Sequence, residues 1–281
     1  MKRFLVLVNP SSHGGRSGRR WRSLADRFPE GEFVILASIE DARERARTAH
    51  GYEAVVACGG DGTIRAVAEG VLENEDATLK FGVLYTGTSP DFCRTYAIPT
   101  DPEGAIRLLR AGTIREIPVL TANGRAFFCS LNLGIGAEVA AGANRLRPKL
   151  GDGLGTLVAL LCALARSNAY TVRVGDDHLC DRLHVLVTRI PFIAGGLKLA
   201  LPKLRDHEYA VWSVRRPTSF GWPRLLWRLY RGKSCGEFVI CRESRTVTSS
   251  ADLPVEFDGD PQGGLPVEIS LAPRRLKLIC P

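Results

Sequence analysis

Residues 54–63, Ala-Val-Val-Ala-Cys-Gly-Gly-Asp-Gly-Thr, constrain the fold of this chain more than any other stretch. Ala54–Cys58 is a short apolar run with two β-branched valines, as expected of a strand buried on both faces. It stops at Gly59-Gly60-Asp61-Gly62-Thr63, after which Ile64, Val67, Ala68, Val71 and Leu72 recur at helical spacing. A glycine turn between a parallel strand and a helix lets backbone N–H groups approach a phosphate without Cβ obstruction, and the helix N-terminus favours negative charge there. A carboxylate repels phosphate, so Asp61 fits better as a magnesium ligand or as the acceptor of a hydroxyl proton. An ordinary βα turn with an aspartate near the helix cap gives the same local pattern.

The same alternation runs through the first part of the chain. Phe4–Val8 reads as a strand, Asn9–Gly18 as a loop and the residues on to Phe28 as a helix. Phe33–Leu36 and Phe81–Tyr85 read as further strands, and Glu40–His50 and Pro102–Arg110 as further helices. Such alternation with short loops predicts a doubly wound α/β domain whose parallel sheet is covered on both faces. Ligands in these sheets bind beyond the C-terminal strand ends. The loops after Val8, Cys58 and Tyr85 all lie there, and all are rich in Gly, Ser, Thr or Asp.

After Gly112 the texture changes. Ile114–Leu120 and Arg125–Leu131 flank Asn123-Gly124, a strong hairpin signal. Further strands are expected at Tyr170–Val174, Arg182–Thr188, Leu197–Leu201, Tyr209–Val214, Phe238–Cys241, Arg245–Thr248, Val255–Phe257 and Val267–Leu271, with a helix over 154–166 among them. Many short strands separated by turns predict an antiparallel β-sandwich, so the domain boundary falls within 112–122.

Eight cysteines without a Cys-x-x-Cys pair point to neither a zinc site nor a redox motif, and imply reduced thiols in the cytoplasm. Phe4–Val8 is too short for a signal-peptide core. The longest apolar stretch, Leu154–Ala165, falls short of the roughly 20 residues a spanning helix needs. The net charge of +8 fits nucleic acid, an anionic membrane surface or a phosphorylated substrate, but no nucleic-acid motif accompanies it and no such partner is expected. In Ser219–Lys233 a helix from Pro223 would place Arg224, Arg228 and Arg231 in one stripe beside Leu225, Leu226, Leu229 and Tyr230, with Trp222 and Trp227 at the edges. That suits a headgroup interface, and equally an amphipathic helix docked on its own domain.

Three loops carry the chemistry. Asn9-Pro10-Ser11-Ser12-His13-Gly14-Gly15-Arg16 offers hydroxyls, glycine amides and an arginine to polyphosphate oxygens. It lacks the Lys-Ser/Thr ending of a P-loop, and no Gly-x-Gly-x-x-Gly follows the first strand. Gly59–Thr63 is the second loop. Gly87-Thr88-Ser89-Pro90-Asp91-Phe92-Cys93-Arg94, the third, brings another carboxylate to the same strand ends.

Taken in order, these motifs resemble the diacylglycerol kinase catalytic-domain family, which includes sphingosine and ceramide kinases and the bacterial lipid kinases. The resemblance continues through Leu131-Asn132-Leu133-Gly134-Ile135-Gly136, Gly195-Gly196 and Phe257-Asp258-Gly259-Asp260, and so covers essentially the whole chain. It implies an α/β nucleotide-binding domain at 1–118, with 274–281 returning to it through a strand at Arg275–Ile279. It implies a β-sandwich substrate domain at 119–273, with the active site in the cleft between the two. ATP would be held by Asn9, Pro10, Ser11, Ser12 and His13, by Ser38, by Gly59, Gly60, Asp61, Gly62, Thr63, Ile64 and Arg65, and by Thr88. Mg2+ would bridge the phosphates. Asp260 would be the general base, while Asp61 and Asp91 would bind metal or organise the phosphates. Asp91 and Arg94 would also contact the acceptor, and Asp206 would be the ligand of a structural magnesium.

The chain departs from the family pattern in three places. Pro90 replaces an asparagine, removing a donor amide and fixing φ near −65°. Asp260 stands where members carry glutamate, shortening the base by about one methylene, or roughly 1 Å of reach. His207 follows Asp206 where members carry glycine. The resemblance thus implies an ATP- and Mg2+-dependent kinase acting on a hydroxyl of a lipid such as diacylglycerol, in phospholipid biosynthesis. Such an enzyme would be cytoplasmic, peripheral to a membrane with anionic headgroups, with room for a homodimer. Two rivals are an NAD-kinase-like enzyme for a soluble substrate and a catalytically silent lipid- or nucleotide-binding protein. Against the first, Asn132-Leu133 stands where NAD kinases carry an Asn-Glu/Asp pair.

Overall fold

The computed structural model describes residues 3–166, 168–193, 195–217, 221–231 and 236–281, leaving aside the side chains of 13–20, 147, 152, 226, 229, 230 and 262. Two compact units emerge. One comprises Met1–Val119, Ala194–Gly196 and Ala272–Pro281, and the other Leu120–Ile193 with Leu197–Leu271.

The first unit opens with strand β1 (Phe4–Val8), helix α1 (Ser12–Arg27), β2 (Gly31–Ile35), α2 (Ile39–Arg47), β3 (Ala54–Gly59) and α3 (Asp61–Glu73). It continues with β4 (Lys80–Tyr85), the short helix α4 (Asp91–Thr95), α5 (Pro102–Ala111) and β5 (Thr113–Ile117). The sheet order is β2-β1-β3-β4, then the C-terminal strand Leu276–Cys280, then β5. All contacts among β1 to β4 are parallel, with Val6 opposite both Phe33 and Val56. Every residue of β1 and β3 is buried, which explains their unbroken apolar runs. Phe4, Val6, Val8 and Val56 pack with Leu24 and Phe28 of α1 and with Ala105, Ile106 and Leu109 of α5. Leu5, Leu7, Val55 and Ala57 are equally buried, and α3 packs on β3 and β4 with α2 against it. The doubly wound class read from the sequence holds.

Two local readings need correction. The segment Asn9–Gly18 is not one long loop, because α1 starts at Ser12. Asn9 closes the turn after β1, its Oδ1 accepting the Ser11 N–H at 3.0 Å. Glycines 14, 15 and 18 gave a loop-like composition, but packing of Trp21, Leu24 and Phe28 on the sheet outweighs propensity. The second correction concerns Ile114–Leu120. Its first part belongs to β5, which pairs antiparallel with Leu276–Cys280, and four of the five β5 residues are exposed, as an edge strand allows. The Asn123-Gly124 hairpin joins the shorter strands Leu120–Ala122 and Arg125–Phe127.

The second unit holds one antiparallel sheet of eleven strands. At its centre Asp177–Thr188 pairs with Tyr170–Val174 through its first half. Its second half lies between Ser130–Gly134 and Tyr209–Arg215, after a bulge between Arg182 and His184. Beyond Ser130–Gly134 come Pro254–Phe257 and then Asp260–Gly264. Leu131, Leu133, Val172, Val185, Val187, Val211, Val247, Val255, Phe257 and Ile269 share one core, so the strands curl around it. The strand expected at Leu197–Leu201 is cut to Leu197–Lys198.

Two helices escaped the sequence pattern, the short α4 and Ile135–Leu150. Ile135–Leu150 contains Gly136, Gly142 and Pro148 and few large apolar residues, so no apolar stripe marks it. It packs against helix Asp152–Arg166 through small residues: a Cβ on Gly142 would lie 3.1 Å from that of Ala159. Helix Trp222–Tyr230 places Leu225 against Trp212 and Val214 and leaves Trp227 exposed, with the Arg231 guanidinium 5.2 Å from its ring. The flanking residues 218–220 and 232–235 of the arginine–tryptophan segment lie outside the described residues. Among the described residues no helix is long and apolar enough to cross a membrane.

Candidate active site

Parallel pairing brings the ends of β1, β3 and β4 side by side, with Val8 opposite Cys58 and Gly59 opposite Tyr85. The three loops that follow are joined to one another. Asn9 donates its backbone N–H to the Cys58 carbonyl at 3.0 Å and its Nδ2 to Thr63 Oγ1 at 2.9 Å. The Gly60 N–H donates to Ser12 Oγ at 3.3 Å, and the Thr86 N–H to the Gly59 carbonyl at 2.8 Å. Gly87 presses directly on Gly60. A Cβ at 87 would lie 2.6 Å from Gly60 Cα and 2.6 Å from the Tyr85 hydroxyl, so only glycine permits this approach.

Helices α1, α3 and α4 all begin at these loops, and none has a side-chain cap. By contrast α2 is capped by Ser38, whose Oγ accepts the Asp41 N–H at 3.1 Å, and α5 by Asp101. The helix dipole at the starts of α1, α3 and α4 favours negative charge there. Asp61 is the first residue of α3, and the Tyr85 hydroxyl donates to its Oδ2 at 3.2 Å. Burial and then the Asp61 charge raise the Tyr85 phenol, and the same two causes push the Cys93 thiol up to about 12.

The other expected nucleotide contacts sort by direction. Thr88 is exposed in the third loop, and Pro10 and Ser11 lie at the first. Gly62 forms part of the first turn of α3. Ile64 and Arg65 are buried within α3, leaving mainly their backbone to a ligand at its start. Ser38 spends its hydroxyl on the α2 cap, and the side chains of His13 and Arg16 lie outside the described residues.

Asp91 is buried, and its carboxylate is already engaged. Oδ2 accepts the Gly195 N–H at 2.7 Å, and Oδ1 faces Arg94 Nη1 at 3.5 Å. Gly195 and Gly196 have φ of +82° and +121°, which favours glycine at both positions of the turn.

In the second unit, Asp258 and Gly259 form the two-residue turn between Pro254–Phe257 and Asp260–Gly264, both with positive φ. The Asp258 carboxylate accepts backbone N–H groups of Phe128, Cys129 and Ser130 at 2.8, 2.8 and 3.0 Å. Asp260, half-buried, opens the next strand. Beneath the turn lies Glu256, a buried acid absent from the sequence reading. It accepts Asn132 Nδ2 at 2.6 Å and also the Gly259 N–H, while Asn144 Nδ2 donates to the Gly259 carbonyl at 3.0 Å. Burial, followed by Asp258 and Asp260, pushes the Glu256 carboxyl up to about 8.

Asp206 is exposed in a turn, and among the described residues no group of three metal-type side chains forms. Tyr85 and Glu256 carried no sequence signal, since one sits at a strand end and the other in an apolar strand. Their partners come from distant residues through sheet register.

Residues 3–122 match the profile of the diacylglycerol kinase catalytic domain. Over 287 residues, 99% of this chain and 94% of the relative, the sequence is 28% identical to a Pseudomonas aeruginosa protein named "Probable lipid kinase YegS-like". It is 24% identical to a "Diacylglycerol kinase" of Staphylococcus aureus over 296 residues, 100% of this chain and 93% of the relative. The fold superposes on a diacylglycerol kinase structure from Bacillus anthracis with a TM-score of 0.77 at 21% identity, covering 100% of this chain and 97% of that one. The family resemblance carried by the motif order is therefore upheld, with residues 3–122 similar to the diacylglycerol kinase catalytic domain.

Proposed function

We propose that the chain is a lipid kinase that uses ATP and Mg2+ to phosphorylate a hydroxyl of a lipid such as diacylglycerol, peripherally at a membrane and within phospholipid biosynthesis. One observation carries this reading: three strand-end loops are tied together where α1, α3 and α4 begin without side-chain caps. The Gly60–Gly87 contact leaves the backbone bare where a Cβ would otherwise stand, which fits a polyphosphate chain.

Asn9, Ser12, Gly59, Gly60, Gly62 and Thr63 would hold the triphosphate, with Asp61 oriented by the Tyr85 hydroxyl. Magnesium would neutralise charge on the phosphates. A metal held chiefly by phosphate oxygens and one carboxylate needs no protein cage. Asp260 would accept the proton of the lipid hydroxyl as the phosphoryl group is transferred, and Asp258 would hold its turn in place.

The test is incubation with labelled ATP and magnesium in the presence of both NAD and a total lipid extract. Label in the organic phase is expected, whereas label on NAD points to the soluble-substrate rival and no transfer to a silent binding protein. Asp61→Asn should lose at least about 100-fold in transfer rate with the thermal midpoint little changed. An active Asp61→Asn enzyme would remove Asp61 from the mechanism.

A further inference from the structure

Helix Asp152–Arg166 is inside out. Its buried stripe consists of Gly155, Ala159 and Ala163, packed on helix Ile135–Leu150. Three of its five leucines face the other way, with Leu154, Leu157 and Leu161 exposed by 54%, 52% and 57% while Leu160 and Leu164 are half-buried. Leu150, just before the Gly151 turn, is 41% exposed as well. A helix that only completes a core turns its large apolar side chains inward, so a stripe of this kind marks a contact surface.

The surrounding charge identifies the partner. Across the helix pair, residues 135–166, the sequence carries Arg145, Arg147, Lys149 and Arg166 against the two acids Glu138 and Asp152. Arg145, Lys149 and Arg166 are exposed. We infer that this helix pair docks on an anionic lipid bilayer, with the leucine stripe in the acyl boundary and the basic residues on the headgroups. A 15-residue helix is too short to span and suited to lying in the interface plane. A second copy of the chain fits less well, since a two-fold contact through this face would set like charges against each other. The choice of a bilayer rests on the lipid-kinase reading, whose acceptor resides in one. The surface itself differs from the arginine–tryptophan segment, where Leu225 is committed to the core.

The test is flotation with vesicles of phosphatidylcholine, with and without phosphatidylglycerol. The wild-type chain is expected to float with the anionic vesicles. The double substitution Leu157→Gln/Leu161→Gln should weaken this by roughly ten-fold or more. Arg145→Gln/Lys149→Gln should abolish much of the salt-sensitive part. All four residues are exposed, so unchanged thermal midpoints confirm that folding is intact. Undiminished flotation of the leucine variant, or no flotation of the wild type, overturns the inference. So does a wild-type dimer that the leucine variant converts to monomer in sedimentation. Transfer to a short-chain acceptor dispersed in detergent is measured in parallel. Leucine-dependent flotation without any transfer defeats the kinase reading alone, whereas transfer with leucine-independent flotation defeats only the docking surface.

Discussion

The backbone N–H of Gly195 donates to Oδ2 of Asp91 at 2.7 Å, fastening a two-glycine turn from late in the chain to the start of α4. Asp91 is 6% exposed. Burial raises its carboxyl above the usual range, while the Gly195 N–H, then Arg94, draw it back down. The third strand-end loop is thereby stiffened from behind, by a bond within the first unit.

Asp91→Ala leaves the Gly195 N–H without its acceptor and should destabilise the protein by about 1–3 kcal/mol. Asp91→Asn keeps a carbonyl oxygen for that bond and loses only the ion pair with Arg94, itself 41% exposed and worth under about 1 kcal/mol. Urea titration at neutral pH should therefore rank the proteins wild type, Asn, Ala. If Asp91→Ala unfolds like wild type yet raises the acceptor KM, Asp91 contacts substrate and the fastening role is wrong.

Asp258 and Asp260 stand two residues apart and should respond oppositely to substitution. Asp258 accepts three backbone N–H groups, so Asp258→Asn, with one oxygen fewer, should cost about 1–3 kcal/mol in denaturant titrations. Asp260 is half-buried at the start of its strand. Asp260→Asn should shift stability by no more than about 0.5 kcal/mol while lowering kcat by roughly 10²–10⁴. Asp260→Glu keeps a carboxylate and is expected to retain transfer. Equal stability losses at both positions, with kcat preserved in Asp260→Asn, would take the base role away from Asp260.

The β1–α1 to β4 pattern was legible because strands buried on both faces read as unbroken apolar runs, and glycine turns punctuate them. The hairpin at Asn123-Gly124 was legible for a similarly local reason. Helix Ile135–Leu150 was not, since it packs through glycine and alanine and so leaves no apolar stripe to read. Ile114–Leu120 reads as one strand of the Asn123-Gly124 hairpin because the partner of β5, Leu276–Cys280, lies far along the chain. In the candidate site, the glycine turns and Asp61 could be picked out by composition. The Tyr85–Asp61 and Glu256–Asn132 bonds depend on which strands lie side by side, a property no single segment encodes.

Glu256 supplies a pH signature. It is 3% exposed, and burial together with Asp258 and Asp260 raises its carboxyl from 4.5 to about 8. Between those values the folded protein keeps a proton that the unfolded chain has released, so stability falls as pH rises through the window. The contribution is fully present below pH 4.5 and exhausted above about 8, with a slope from this group of at most about 1.4 kcal/mol per pH unit. Glu256→Gln stays neutral at every pH and can still accept the Gly259 N–H, with the Asn132 amide turned to suit. The wild-type stability relative to Glu256→Gln should therefore decline across the window and then level off, as urea titrations over that pH range will show. A difference that stays constant with pH would mean that Glu256 is already ionised in the folded state. Ionisation also sets a negative charge beneath the Asp258–Asp260 turn, so Glu256→Gln should remove any fall in transfer rate that tracks the upper end of the same window.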